Sequence, residues 1–266
     1  MNLLNISDAL SLAKLRDVLI RLEDTIIFAL IERAQFAHNE CTYQPGVYEY
    51  DDGYKGSFLE YLLLEMETVH ARVRRYTSPD EYPFTPHLPE PILPVLNFPP
   101  ILHKNDINVN KDIMKRYLKD IVPQICEAGD DLNHGSSVTR DVECLQALSK
   151  RIHYGKFIAE AKFKDPKEQK TYIRLIQAKD RDGIMELLTN RTVEEKLLRR
   201  LRRKAMIYGQ DITEEGEVIE SSEQQKHQKI RADVVVNLYE RFVIPLTKEV
   251  EVEYLLQRLD GWSIPE

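Results

Sequence analysis

Apolar positions recur at intervals of three and four almost from the start of the chain. Leu12, Leu15, Leu19, Leu22, Ile26, Leu30 and Ile31 follow Ser7, a residue type suited to an N-cap, and predict an amphipathic helix over 7–37. The same spacing predicts helices over 57–76, 111–126, 136–163, 167–178, 181–188, 192–208 and 232–259. No stretch sustains an alternation of period two, so no sheet is expected. Eight of the 13 prolines fall within 79–100, which excludes helix there. Phe84, Ile92, Leu93, Leu96 and Phe98 are interleaved with them, so the segment is expected to be an ordered crossover with these side chains buried. The polar, acidic stretch 211–229 is expected to be a mobile loop. The pattern as a whole predicts an all-α bundle of long helices forming a single domain, 1–266.

Composition narrows the function classes. At 266 residues, a chain buries roughly three-quarters of its unfolded surface and needs no disulfide or structural metal. Lys plus Arg number 37 and Asp plus Glu 44, a net charge of −7, which argues against nucleic-acid binding by overall attraction. The longest apolar runs are far short of the ~18 residues that span a bilayer. Cys41, Cys126 and Cys144 are few, odd in number and unpaired by spacing, as in a reducing compartment. With no signal or transit pattern at the N-terminus, the expectation is a cytoplasmic chain. The seven histidines show no metal-ligand spacing along the chain.

Four predicted helices carry charged or polar residues on apolar stripes. Val243, Thr247, Glu251 and Leu255 form an i, i+4 ladder in the last helix. In the long central helix Leu148, Arg151, Gly155, Ile158 and Lys162 share a face, with Arg151 and Lys162 three turns apart, about 16 Å. Leu187, Asn190, Glu194, Leu197 and Leu201 form a further mixed stripe, and Arg16 falls between Leu12 and Leu19. Buried charge costs several kcal/mol unless paired, on the order of what a domain's whole stability can spare. Two arrangements satisfy that constraint: an internal ion-pair network, or a pocket with excess positive charge that takes a small dianion. Periodicity alone does not choose between them.

Five segments bear on that choice: RDVLIRLED at 16–24, KGSF at 55–58, RDVECLQ at 140–146, RIHYGKF at 151–157 and PLTKEVEVEYLL at 245–256. Together they resemble the eukaryotic, allosterically regulated chorismate mutases, as in fungi, over nearly the whole chain. The resemblance implies the rearrangement of chorismate to prephenate on the route to phenylalanine and tyrosine, with no cofactor and no metal. It implies that Arg16 and Arg151 grip the two substrate carboxylates. Lys162 and a protonated Glu251 would donate to the ether oxygen. Glu194 would accept from the ring hydroxyl, with Asn190 and Thr247 as positioning groups. A relative on the same fold that had lost catalysis and served as an interaction protein is the competing reading.

The resemblance also implies a homodimer with an effector site. Arg74 and Arg75 of one protomer would meet the loop of Asn133, Gly135, Ser136 and Thr139 across the interface and bind tyrosine, an inhibitor, or tryptophan, an activator. Read alone, Arg74 and Arg75 simply complement a helix C-terminus. The length of 211–229 and the charge of Arg231 depart from the yeast-like pattern and bear on effector response. The basic run Arg199, Arg200, Arg202, Arg203 and Lys204 reads as a solvated helix face, and His153 as structural.

Overall fold

A computed structural model describes residues 2–210 and 229–261; the expected loop 211–229 lies, except for Lys229, outside the described residues. The chain folds as α1 (Ile6–Ala9), α2 (Leu12–Ala34), α3 (Phe58–Arg72), α4 (Asn110–Arg116), α5 (Val122–Ile125), α6 (His134–His153), α7 (Gly155–Phe163), α8 (Gln169–Gln177), α9 (Arg181–Leu188), α10 (Arg191–Tyr208), α11 (Ala232–Leu238) and α12 (Ile244–Gln257). There is no strand among the described residues. The all-α expectation holds.

Helix starts follow local chemistry. Ser7 does not open the first long helix; it sits in α1, capped by Asn5, and α2 begins after Ser11, whose hydroxyl accepts from the Lys14 amide. At α3, Ser57 and Glu60 cap each other reciprocally, satisfying two amides that the helix itself leaves unpaired. Two prolines explain the two irregular helices. Pro123 and Pro245 each stand within a helical run and cannot donate to the preceding turn. In both places the turn just before widens to π geometry, over Tyr117–Ile121 and Tyr239–Val243. Each pair (α4 with α5, α11 with α12) therefore continues across its proline.

The expected 136–163 helix is two helices. It turns at Tyr154, whose carbonyl accepts from both Phe157 and Ile158. The buried stripe of α2 is Leu15, Val18, Leu22, Ile26, Ile27, Leu30 and Ile31, so Arg16 does not lie on it and is exposed. The proline segment is non-helical, as expected, but Ile92, Leu93 and Leu96 are exposed. Polar bonds hold it instead. The Glu67 carboxylate accepts from the Phe84 amide at 3.0 Å and the Thr85 amide at 2.7 Å, and the Asn110 amide group donates to the Tyr82 and Pro83 carbonyls. Phe84 packs against the main core and Phe98 is half-buried.

One buried ion pair ties α2 to α6. Arg33 and Asp141 are both fully buried. The Arg33 guanidinium donates to Asp141 at 2.6 Å, to the Phe36, Ala37 and His38 carbonyls and to the Tyr43 hydroxyl. Asp141 also accepts from Tyr43 at 2.9 Å and Tyr117 at 2.7 Å. Removing one partner leaves an uncompensated buried charge. Asp141→Asn is expected to lower unfolding free energy by about 3–5 kcal/mol in urea titration. Tyr43→Phe removes two of the bonds but keeps the ion pair, and should cost about 1–2 kcal/mol. Equal losses for the two variants would contradict this reading of the network.

Candidate active site

The site forms where α12 crosses the corner between α6 and α7. Gly155 makes the approach possible: a Cβ there would lie 2.8 Å from the Thr247 carbonyl oxygen and 3.3 Å from Glu251 Cγ. With hydrogen at that position, α12 comes close enough to set Thr247 and Glu251 beside Arg151 and Lys162. The expected ladder is inward, with Val243, Thr247, Glu251 and Leu255 all buried.

Arg151 is buried on α6 and donates to Thr247 Oγ1 at 3.4 Å, a long bond, while its Nε has no hydrogen-bond partner among the described residues. The Thr247 hydroxyl is turned by its own donation to the Val243 carbonyl at 2.6 Å. On α7, Lys162 donates to the Leu188 carbonyl at 3.2 Å and to Glu251 Oε2 at 3.3 Å. Burial pushes the Glu251 carboxyl above its ordinary value of 4.5, against the opposing pull of Lys162, Arg151 and Lys248. Burial thus outweighs the three nearby cations.

Glu194 and Asn190 stand further out. Glu194 is half-buried and pairs with Lys248 at 2.6 Å. Asn190 is exposed, and its side-chain oxygen caps α10 by accepting from the Val193 amide at 3.1 Å. Neither the Asn190 nor the Arg16 side chain is bonded to another expected site residue among the described residues, and Arg16 is exposed on α2. It shares a face of α2 with Glu23, two turns away, about 10 Å. Arg200 and Lys204 of α10 meet that face, with Arg200 donating twice to the fully buried Glu23 at 2.6 and 2.9 Å and Lys204 donating to the Ile20 carbonyl. The basic run is therefore not a purely solvated face, because two of its cations hold α10 against α2. Further along α10, the Tyr208 hydroxyl donates to Asp24 at 3.0 Å and its ring stacks on Phe28, so the two helices run in the same sense and Arg16 lies toward the end of α10 that bears Glu194.

Four residues near the site escaped the sequence pattern. The Tyr172 and Tyr239 hydroxyls are buried with no hydrogen-bond partner among the described residues. Tyr172 feels the charge of Glu251 and Tyr239 that of Arg151. Neither is singled out by its position in the sequence. Lys248 was masked by its helix neighbours, and Gly155 offered no signal beyond its place on a stripe.

The residues expected to hold an effector occupy two separate regions of the chain. Arg74 has a left-handed backbone, φ 71°, and reaches the Pro94 carbonyl. Arg75 donates to Glu81 at 3.0 Å and to Gln146 at 2.9 Å. Asn133, Gly135, Ser136 and Thr139 lie at the start of α6, where the Thr139 hydroxyl donates to the Gly135 carbonyl. Gln146 is about 16 Å along α6 from Gly135. Arg231 caps nothing with its side chain and pairs with Asp233 at 3.0 Å.

Fold and geometry together define a helical-bundle protein in which Arg151 and Lys162 meet Thr247 and Glu251 where α12 crosses the α6–α7 corner. Residues 135–252 match the family described as Chorismate mutase type II. Chorismate mutase from Schizosaccharomyces pombe is 48% identical over 261 residues, spanning 96% of this chain and 98% of the relative. Chloroplastic chorismate mutase 1 from Zea mays is 48% identical over 257 residues, 96% of this chain and 80% of the relative. Aro7p chorismate mutase from Candida albicans, solved with L-Trp, superposes at a TM-score of 0.90 with 45% identity, covering 99% of this chain and 97% of that one. AtCM1 with tyrosine bound in its allosteric site superposes at 0.84 with 46% identity, covering 96% and 98%.

The chain belongs to the chorismate mutase family, whose reaction converts chorismate to prephenate.

The close approach at Gly155 gives a direct test. Gly155→Ala should destabilise the fold by about 1–3 kcal/mol, because α12 must back away from α6. In thermal unfolding, a variant as stable as the parent would show that the contact is looser than described.

Proposed function

We propose that the pocket of Arg151, Lys162, Thr247 and Glu251, completed by Arg16, Asn190 and Glu194, binds chorismate and rearranges it to prephenate. The observation that carries this reading is Arg151: a buried guanidinium with a long bond to Thr247 and an unpartnered Nε. Such a group is costly alone and well matched to a planar carboxylate. The reaction is unimolecular, so the side chains need only hold a compact conformer and stabilise charge on the breaking ether bond. Arg151 pairs with one carboxylate and Arg16 closes on the other. Lys162 gives the ether oxygen one hydrogen bond. Glu251, kept protonated by burial, gives the second. Glu194 turns from Lys248 to the ring hydroxyl, and Asn190 and Thr247 fix orientation.

The same reading makes the chain, 1–266, one domain working as a homodimer in the cytoplasm. Its main hydrophobic core runs through α2, α6 and α12, its cysteines are free, and no described helix is long and apolar enough to cross a membrane. Arg74 and Arg75 lie apart from the α6 N-terminus within one protomer, so a second copy is what brings them to Asn133, Gly135, Ser136 and Thr139. An aromatic amino acid bound there biases the quaternary equilibrium, with tyrosine lowering turnover and tryptophan raising it.

Loss of chorismate absorbance on mixing with the purified protein tests the reaction. Arg151→Ala should lower kcat/KM by about 10²–10³-fold or more; unimpaired turnover would remove it from the pocket. The raised Glu251 value fixes the sign of the pH dependence. The acid form drains away as pH rises through that value, and the parent's kcat should fall there. Glu251→Gln keeps a donor that does not titrate, so its profile should be flat over that range; inactivity at every pH would contradict the donor role. For the effector site, Arg75→Ala or Thr139→Ala should weaken the tyrosine and tryptophan responses and preserve effector-free turnover. Loss of that turnover with effector binding intact would refute a separate site.

A further inference from the structure

Histidines without ligand spacing along the chain acquire it in three dimensions. The 3₁₀ turn Glu40–Tyr43, the loop before α6 and the first residue of α6 bring together Cys41, Asp130 and His134. One ligand atom from each lies within 4.8 Å of the others. Cys41 Sγ is 3.3 Å from Asp130 Oδ2 and 3.6 Å from His134 Nε2. His134 Nε2 is 2.8 Å from Asp130 Oδ1.

We propose that Cys41, Asp130 and His134 form a binding site for a zinc-class divalent cation, outside the active site. In a tetrahedral zinc site with bonds of about 2.0–2.3 Å, neighbouring ligand atoms stand roughly 3.3–3.7 Å apart. The Sγ–Oδ2 and Sγ–Nε2 separations already have that size, and the exposed Asp130 carboxylate, which faces the thiol with Oδ2 and the imidazole with Oδ1, needs only a small turn to offer one oxygen to both. The donor set of thiolate, imidazole and carboxylate suits zinc rather than magnesium or calcium. The outer ring nitrogen is already held: His134 Nδ1 is 2.7 Å from the Tyr48 hydroxyl. When the hydroxyl accepts from Nδ1, the Nε2 lone pair points at the cluster, and a partner on the outer nitrogen is the usual support of a ligating histidine. On binding, the Cys41 thiol gives its proton to solvent, and thiolate plus carboxylate balance the dication. That balance matters because the positive end of α6 disfavours uncompensated cations. With Cys41 half-buried and the Asp130 side chain 42% exposed, the fourth position opens to water.

Cobalt(II) added to the chelator-treated full chain should give a thiolate-to-metal charge-transfer band at one equivalent, and zinc should displace it. Cys41→Ser should abolish the band. His134→Ala should weaken zinc binding, read by competition with a chelating dye, by at least tenfold. Tyr48→Phe should keep one-to-one binding with affinity reduced about tenfold. Circular dichroism matching the parent establishes that each variant is folded. No cobalt band in the parent, or a band that survives Cys41→Ser, would overturn the site.

Discussion

The close crossing of α12 over the α6–α7 corner is the constraint on which the site depends. A carboxyl, a hydroxyl, a guanidinium and an ammonium meet there because Gly155 has no side chain between the helices. The contact is also what buries Glu251. Depth in the interface raises its proton affinity, while Lys162 and Arg151 set positive charge beside it and pull the other way. One packing contact thus produces both a carboxyl of raised proton affinity and a pair of cations beside it, two features that would oppose each other on an open surface.

The supporting structure keeps that corner fixed. Glu23, fully buried under Arg200 and Lys204, locks α10 to α2 and so places the helix that bears Glu194. Arg33 and Asp141 lock the other end of α2 to α6, the helix that bears Arg151. Both ion pairs are well bonded, which is the condition for burying charge at tolerable cost. The two proline-induced π turns add a further adjustment. The one before α12 ends at Val243, and from there the i, i+4 spacing carries Thr247 and Glu251 along the inward face.

Much of this was legible in the sequence because helices have a fixed period. The ladder of Val243, Thr247, Glu251 and Leu255, and Arg151 beside Leu148, are inward as their spacing requires. Arg16 fails the same test because a stripe drawn through Leu12 and Leu19 is rotated from the one α2 buries, through Leu15, Val18 and Leu22. Periodicity defines a face only when several neighbouring residues agree. Tyr172 and Tyr239 were invisible because a tyrosine packed by its ring resembles any core aromatic until its hydroxyl is found without a partner. Asp130 and His134 are one helical turn apart, but Cys41 is distant in the chain, and only the meeting of the 3₁₀ turn with the start of α6 joins it to them. Arg200 and Lys204 looked solvated because their buried partner, Glu23, belongs to another helix.

Burial, rather than the neighbouring cations, decides the direction in which the Glu251 carboxyl is shifted. Carboxyl-carbon NMR of the glutamates across pH, assigned with Glu251→Gln, measures it directly on the ligand-free protein. The account predicts a Glu251 midpoint above 4.5, rising further in Lys162→Met, where one opposing cation is gone. A midpoint at or below 4.5 in the parent protein would mean that the cations prevail, and Glu251 would then be a carboxylate rather than a hydrogen-bond donor at the ether oxygen.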